Sequence, residues 1–397
     1  MAAAAVSSSS DRLHSLDSLR AVAMLLGIVL HAGLSFMHMP TPWPVHDVYR
    51  SIGFDALVGL IHGFRMQVFF FIAGFFGHLL WRREGVRGFL AQRGRRIGIP
   101  FAIGMVTIIP LTLWLFYWAA SRSGPANPVK LPPPGSIWSF PTMHLWFLEI
   151  LIFLYLGAAL LARCNGLLEG LDLPRRIDTA FDRLIQHPLK PLFLAVPTVG
   201  LLWGGPMFGE VEVAGFALLP AGRAVAYYGL FFALGWWLHR RSHLLNSLCR
   251  WPKSYLASAA LAFLVLGACF DAHLQPSDPA FAAVKTLALA AAAWYSWSMT
   301  FAITSLFIRF AARDRPRMRY LADASYWCYL WHLPLVVYLQ IAMANWPING
   351  WLKFTLILLV NLLVLLPTYH WLVRYTWAGR ILNGPRSRPA ALAAQVT

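Results

Sequence analysis

Long apolar segments recur from one end of this chain to the other, and they constrain its fold more than any other feature. A transmembrane α-helix needs about 20 predominantly apolar residues, and such segments fill much of the 397-residue chain. They are continuous and lack the apolar–polar alternation of membrane β-strands. The sequence therefore predicts an all-α polytopic membrane bundle of about ten transmembrane helices, at residues 21–38, 54–80, 99–119, 143–162, 191–207, 218–238, 254–270, 281–308, 323–344 and 351–373.

The composition argues against a water-soluble protein. Only 12% of the residues are charged and 58% are hydrophobic, whereas about 25% of a soluble domain is charged. The formal net charge of +17 would suggest nucleic-acid binding in a soluble domain. Here the basic residues lie between apolar segments, so membrane topology explains them better and we expect no nucleic-acid partner.

The basic residues also orient the predicted helices. If the N-terminus and alternate loops are cytoplasmic, most Lys and Arg residues lie on the cytoplasmic side. The opposite side then carries only Arg50, Arg122 and Lys130. This bias predicts that both termini are cytoplasmic and that the number of membrane helices is even.

The chain shows no sign of a separate soluble domain. We expect one transmembrane domain over 1–397, with 1–12 and 385–397 as disordered cytoplasmic tails and an uncleaved first helix. The outer loop 120–142 is rich in proline and predicts irregular structure, while 164–189 could hold a short amphipathic helix. The four cysteines show no CxxC spacing, so neither a disulfide framework nor a metal site is expected.

Ionisable side chains inside the predicted helices are the first candidates for chemistry, because lipid makes them costly. Arg20 and His31 are eleven residues apart, which returns to nearly the same helix face after a rise of about 16 Å. Asp17 lies on that face one turn earlier. A neutral buried imidazole is a suitable general base. A histidine that only hydrogen-bonds across the bundle gives the same pattern, and the alignment with Arg20 favours catalysis.

The second predicted helix contains the polar residues Arg65 and Gln67 within the aromatic sequence IHGFRMQVFFFIAGFFG, with His62 one turn before Arg65. Its length places Arg65 at about the level of His31. A guanidinium at that depth needs an anionic or carbonyl partner, so it could orient an acyl oxygen or a substrate carboxylate. An ion pair inside the bundle, for example with Glu149, is the alternative.

Two further motifs stand out. The loop after the second helix carries six arginines: Arg82, Arg83, Arg87, Arg93, Arg95 and Arg96. Membrane topology alone would explain them, and bidentate phosphate binding is the more specific hypothesis. The stretch SYWCYLWHLP places His332 near mid-depth, and Pro334 would free a backbone carbonyl there. Taken alone, this stretch is compatible with a kinked helix that holds a hydrogen-bonded histidine.

Taken together, these stretches resemble the membrane acyltransferases of the acyltransferase 3 family, and in particular its glucan-biosynthesis branch. The matching stretches are LDSLRAVAMLLGIVLHAG, FRMQVFFFIAGFF, RGRRIGIP, HLWFL and SYWCYLWHLP. The resemblance implies a multi-pass protein of a bacterial inner membrane. Such a protein moves an acyl group from cytoplasmic acyl-CoA, its co-substrate, to a hydroxyl of a periplasmic carbohydrate. For this branch it implies succinyl transfer, with acetyl as the other candidate, to an osmoregulated periplasmic glucan.

The residue patterns and the resemblance together assign expected roles. His31 is expected to be catalytic, with Arg20 and Asp17 beside it on the first helix. The expected CoA-binding residues are Arg93, Arg95 and Arg96, and the expected substrate-binding residues are His62, Arg65, Gln67, His144, Glu149, Ser325, Tyr326 and His332. Many relatives carry an acid in the last span, where this chain has Tyr369 and His370, so no role of that acid transfers.

Several alternatives remain open at the level of sequence. His31 could activate a sugar hydroxyl for direct attack on the thioester, or accept the acyl group and pass it on. The acceptor could instead be lipopolysaccharide, peptidoglycan or a small glycoside. A transporter that uses His31 and His332 as a proton relay is an alternative from a different functional class. The absence of visible internal repeats counts against it.

Overall fold

The computed structural model describes residues 9–122, 141–168, 173–205, 219–272, 275–311, 315–384 and 386, and every regular element within these ranges is helical. Short π-helical turns at Gly94–Gly98 and Tyr369–Val373 continue α2 and α12, respectively. The all-α class is confirmed. The helices are α1 Ser9–Leu34, α2 Ile52–Arg93, α3 Ile99–Arg122, α4 Trp146–Leu168, α5 Leu173–Gln186, α6 Lys190–Leu202, α7 Gly222–Arg240, α8 Leu245–Leu248, α9 Pro252–Asp271, α10 Phe281–Phe310, α11 Pro316–Met343, α12 Gly350–Thr368 and α13 Trp377–Asn383.

Five segments of the described residues are long and apolar enough to cross a membrane: His14–Leu34, Ile52–Arg122, Met143–Arg163, Pro252–Phe270 and Gly350–Val373. They support a multi-pass membrane protein. The segment Ile52–Arg122 contains α2, the first π turn and α3, and its helical geometry is interrupted at Gly85. The count of ten membrane helices and the cytoplasmic termini stay predictions.

The predicted tails and the outer loop fall largely outside the described residues. Helix α1 already begins at Ser9, whereas residues 1–8, 385 and 387–397 are not described. The predicted irregular loop is not described between 123 and 140.

Apolar side chains cover the outside of the bundle as well as its core. Val106, Leu264 and Leu363 are each exposed over about 70% of their surface, which is unfavourable in water and expected of a surface that faces lipid. Helix α1 is central, because it packs against α2, α10, α11 and α12.

Helices α2 and α7 cross through a reciprocal pair of glycines. A Cβ atom on Gly74 would overlap the carbonyl oxygen of Phe232, and one on Gly235 would overlap that of Phe71. Small residues of this kind let the backbones of membrane helices approach closely. The crossing fixes α2, which carries Arg65, against its neighbour.

Helices α1 and α11 pack in a register that repeats after seven residues. Ser325 Oγ lies 3.4 Å from Met24 Sδ, and His332 Nε2 lies 2.9 Å from His31 Nδ1. Both steps are two helical turns, about 10 Å. The two helices therefore run in parallel and bring their histidines together.

The amphipathic helix expected in 164–189 is present as α5. Ile185 is fully buried, and Asp178 and Asp182 accept bidentate hydrogen bonds from Arg240 and Arg241 at the end of α7. Hydrogen bonding from Arg241 holds the pKa of Asp182 below its ordinary value of 3.8. The prediction of an amphipathic helix is confirmed.

Candidate active site

A pair of hydrogen-bonded histidines lies near the C-terminal end of α1. His31 is three residues from the end of that helix at Leu34, and its Nδ1 is 2.9 Å from Nε2 of His332 on α11. His332 is 1% exposed, whereas His31 remains partly exposed. The structure thus joins the two histidines that the sequence singled out on separate helices.

A third predicted histidine completes this cluster. The ring of His144, from the turn before α4, lies edge-on to His332 with ring centres 5.4 Å apart. Its Nε2 donates to the carbonyl oxygen of Leu330 at 3.0 Å. That carbonyl is four residues before Pro334, whose missing N–H leaves it without a helical partner. The freed carbonyl expected from the sequence is therefore present.

Arg65 lies beside the histidine pair, as its predicted depth required. A Cβ atom on Gly27, one turn before His31, would overlap the Nη1 of Arg65. The guanidinium acts electrostatically on both His31 and His332, and its buried Nε has no hydrogen-bond partner. No carboxylate pairs with Arg65 among the described residues. A cation in that position suits an anionic or carbonyl ligand.

A cavity of about 130 Å³ lies about two helical turns from His31, toward the N-terminal end of α1. Three arginines line it: Arg20 of α1, Arg93 of α2 and Arg96 of the π turn. The polar part of the lining is completed by Asp323, Ser325 and Tyr326 of α11 and Asn383 of α13, and aromatic and aliphatic residues form the rest. The cavity therefore combines three cationic side chains and one acidic side chain with an apolar remainder.

Arg93 and Arg96 are held in place by contacts that leave their positive charge unpaired. Arg93 donates to the carbonyl oxygen of Phe76 at 3.2 Å and packs 4.7 Å above the ring of Tyr155. Tyr326 donates to the carbonyl oxygen of Arg96 at 2.8 Å and so anchors the π turn. Neither contact supplies a negative charge, so both guanidinium groups can bind an anion.

Two acidic groups lie near these arginines, and each already has a cationic partner. Asp17 pairs with Arg20 at 3.1 Å, and Asp323 pairs with Arg386 at 2.8 Å. Arg95 is exposed and acts electrostatically on Arg96 together with Arg20 and Arg93. The cavity is thus strongly cationic, as a site for a phosphate-rich ligand would be.

Residues 13–370 match the sequence model of the acyltransferase domain that defines the acyltransferase 3 family. The chain belongs to that family. It is 25% identical over 388 residues to glucans biosynthesis protein C of Escherichia coli (strain K12), a match that covers 94% of this chain and 95% of the relative. The same protein of Shigella dysenteriae serotype 1 (strain Sd197) gives the same values. No solved structure matches the chain.

Membership of the acyltransferase 3 family makes this chain a membrane acyltransferase, and the family supports O-acyl transfer. The bundle combines a histidine pair with a cationic cavity on the same two helices, α1 and α11. This arrangement places a group able to accept protons two turns beyond a site able to hold anions.

Three further residues of the predicted acyltransferase site remain, and of these His62 acts electrostatically on His31. Gln67 donates to the hydroxyl of Tyr227 on α7 at 2.9 Å, which joins two helices. His62 is exposed, and both carboxylate oxygens of Glu149 are buried without a hydrogen-bond partner. Substrate binding by these three residues stays a prediction.

Trp43, which the sequence did not single out, covers His31 from the α1–α2 loop, residues 35–51. The two rings stack with centres 5.8 Å apart, and Trp43 Nε1 donates to Oε1 of Gln340 at 2.8 Å. Gln340 in turn donates to the carbonyl oxygens of His31 and Ala32. The motif PTPWP, a tryptophan between prolines next to the first helix, was the available signal.

Proposed function

We propose that this acyltransferase takes an acyl group from cytoplasmic acyl-CoA and transfers it to a hydroxyl of a periplasmic glucan across a bacterial inner membrane. The observation that carries the proposal is the pairing of His31 with His332 beside Arg65, two helical turns beyond the cationic cavity. In this arrangement a donor from the cytoplasmic side and an acceptor from the periplasmic side would reach the same reacting group.

The donor end is proposed to be the cavity lined by Arg20, Arg93 and Arg96. Three guanidinium groups suit the phosphates of CoA, because guanidinium binds phosphate through paired hydrogen bonds. Each acid near them is already paired with a cation. The apolar interior of the cavity between Met24 and Phe147 suits the uncharged arm that carries the thioester. Arg95, which is exposed, would act at the entrance.

The reacting group is proposed to be His31. Its imidazole can remove the proton of a sugar hydroxyl as the oxygen attacks the thioester, or can accept the acyl group itself. Arg65 would bind the acyl oxygen or, in a succinyl group, the distal carboxylate. The acceptor would enter from the outer side, past Trp43.

The relatives named glucans biosynthesis protein C support a periplasmic glucan as acceptor, and for this branch the donor would be succinyl-CoA or acetyl-CoA. Mass spectrometry of periplasmic glucans from cells with and without the gene tests both choices. We expect a gene-dependent mass increment of succinyl or acetyl. Glucans of identical mass in both strains would contradict the proposal.

The role of His31 is tested with purified protein and His31→Ala. We expect CoA release that depends on added glucan in the wild type, and a loss of at least about 1000-fold in the variant, in line with removal of a nucleophile or base. His38→Ala is the matched control, because His38 is exposed and only its backbone N–H binds Asp55. A transporter would show no acceptor-dependent CoA release in any variant.

A further inference from the structure

Hydrogen-bond directions around the histidine pair determine which nitrogen of His31 carries the free lone pair. Nδ1 of His332 lies 2.7 Å from the carbonyl oxygen of Tyr329. A carbonyl oxygen can only accept, so Nδ1 of His332 carries a hydrogen and donates it. In a neutral imidazole the other nitrogen, Nε2, is then an acceptor.

This acceptor nitrogen faces His31. Nδ1 of His31 lies 2.9 Å from Nε2 of His332, so the hydrogen of that bond belongs to His31 Nδ1. Nε2 of His31 is left with its lone pair, and it has no hydrogen-bond partner among the described residues. Since His31 is partly exposed as a residue and its Nε2 is not among the buried atoms without a partner, this lone pair can meet a substrate.

The reverse direction of the bond would require a positively charged His332. Its ring is almost fully buried, and the neighbouring groups that act on it include the guanidinium of Arg65. A buried cation beside another cation, without a carboxylate, is strongly unfavourable. No carboxylate pairs with either ring within the described part of the chain. Two neutral rings are therefore the consistent assignment.

The ring of His332 is also fixed from its other side. His144 packs edge-on against it, and His144 is itself tied to the carbonyl of Leu330 that Pro334 leaves free. Both nitrogens of His332 are used by the protein. This favours a role in orienting His31 over the substrate contact that the sequence suggested.

We propose that His332 is a positioning residue that holds His31 in the tautomer with hydrogen on Nδ1, so that the Nε2 lone pair is the one presented to the reactants. The proposal rests on the proposed function, in which His31 is the reacting histidine. When His31 acts as a base, Nε2 takes the hydroxyl proton while the sugar oxygen bonds to the acyl carbon. The carbon–sulfur bond breaks, and the proton then passes to the CoA thiolate to give the thiol.

The same lone pair serves the covalent route. Nε2 then bonds to the acyl carbon as the carbon–sulfur bond breaks and CoA leaves as the thiolate. The sugar oxygen next attacks the acyl carbon, the carbon–nitrogen bond breaks, and the hydroxyl proton goes to the thiolate. The tautomer that His332 selects is needed in either route, because only an unprotonated Nε2 can react.

The kinetic test compares His332→Leu with His332→Gln in full-length protein. Leucine offers no acceptor to His31 Nδ1, and we expect kcat to fall by about 100-fold, the upper end of the loss found when the partner that orients a metal-binding imidazole is removed. The KM for acyl-CoA stays unchanged, because the arginine cavity is two turns away. Glutamine offers an amide oxygen as acceptor and is expected to recover about tenfold of the lost kcat.

A control and a direct measurement keep the test decisive. His78→Leu removes another buried histidine, which pairs with His239 of α7 and does not line the arginine cavity, and is expected to retain kcat. Nitrogen-15 NMR of histidine-labelled wild-type protein, with His31→Ala to identify the signal, is expected to show hydrogen on Nδ1 of His31. Hydrogen on Nε2, or full kcat in His332→Leu, overturns the positioning role. Full activity in His31→Ala would instead overturn the proposed function.

Discussion

Arg65 is held beside His31 without a carboxylate partner among the described residues, and this makes it the best candidate for recognising a charged acyl group. Hydrogen bonds to charged groups contribute about 1.5–3 kcal/mol. We therefore expect Arg65→Gln to lower the ratio of succinyl to acetyl transfer by about tenfold or more. Competition between succinyl-CoA and acetyl-CoA, read by mass spectrometry of the product, measures that ratio. An unchanged ratio would remove Arg65 from acyl recognition.

Gly27→Ala provides a second variant for the same prediction, because it displaces the guanidinium without removing its charge. The added Cβ would overlap Nη1 of Arg65, and this flexible end can move aside. We expect the transfer ratio to shift in the direction seen for Arg65→Gln, with a small change in Tm. Gly157→Ala on α4, where a Cβ meets nothing within 4 Å, is the control.

The residue-scale features differ in how far the sequence could predict them. Helical rise alone placed Arg65 level with His31, and Pro334 identified the free carbonyl at Leu330. The bond between His31 and His332 depends on the register of α1 against α11, which one sequence does not contain. Trp43 was missed because its position depends on how the α1–α2 loop folds back over the bundle.

The α2–α7 crossing gives a prediction at the scale of helices. Added methyl groups at Gly74 or Gly235 meet backbone carbonyls, which cannot move aside as a side chain can. Overpacking of this kind destabilises by about 1–3 kcal/mol. We expect Gly74→Ala and Gly235→Ala each to lower the Tm in detergent by several degrees, measured by thermal unfolding. A Tm equal to that of Gly200→Ala, where a Cβ has open space, would contradict the close crossing.

The docking of α5 on α7 predicts a dependence on pH. The bonds from Arg241 depress the pKa of Asp182 below 3.8. A group with a depressed folded-state pKa contributes stability above its unfolded pKa, and this is lost as pH falls through the folded value. We expect Tm to fall more steeply below about pH 4 in the wild type than in Asp182→Asn. Parallel curves of Tm against pH would show that this pair does not stabilise the fold.

The sequence predicts the presence of the helices better than the residues at which they begin and end. The apolar segments and the amphipathic pattern of α5 gave the helical class and most positions. The short α6, with 13 residues, and the break at Gly85 inside α2 were not foreseen. Both depend on packing and on local backbone geometry, which the average hydrophobicity of a segment does not record.

The α1–α2 loop, which carries Trp43, is tied to the rest of the molecule by a buried ion pair. Lys353 of α12 donates to both oxygens of Asp47 at 2.9 and 2.8 Å, and both side chains are almost fully buried. Removing one partner of such a pair leaves an uncompensated charge at a cost of about 3–5 kcal/mol. We expect Lys353→Met to lower stability and to weaken the packing of Trp43 on His31.

Chemical unfolding in detergent measures that loss, and the double variant Asp47→Asn with Lys353→Met is its control. Because the double variant buries no unpaired charge, we expect it to recover part of the stability. If Lys353→Met and the double variant are both as stable as the wild type, other contacts hold the α1–α2 loop in place.

At the scale of the whole molecule, His31 lies between the cationic cavity and the α1–α2 loop that carries Trp43. Proteoliposomes that enclose glucan, supplied with labelled acyl-CoA only from outside, test this directly. Molecules whose cationic cavity faces outward should label the enclosed glucan while CoA stays outside, and His31→Ala should abolish the label. Labelling that requires donor and acceptor on the same side, or that persists without His31, would contradict the account.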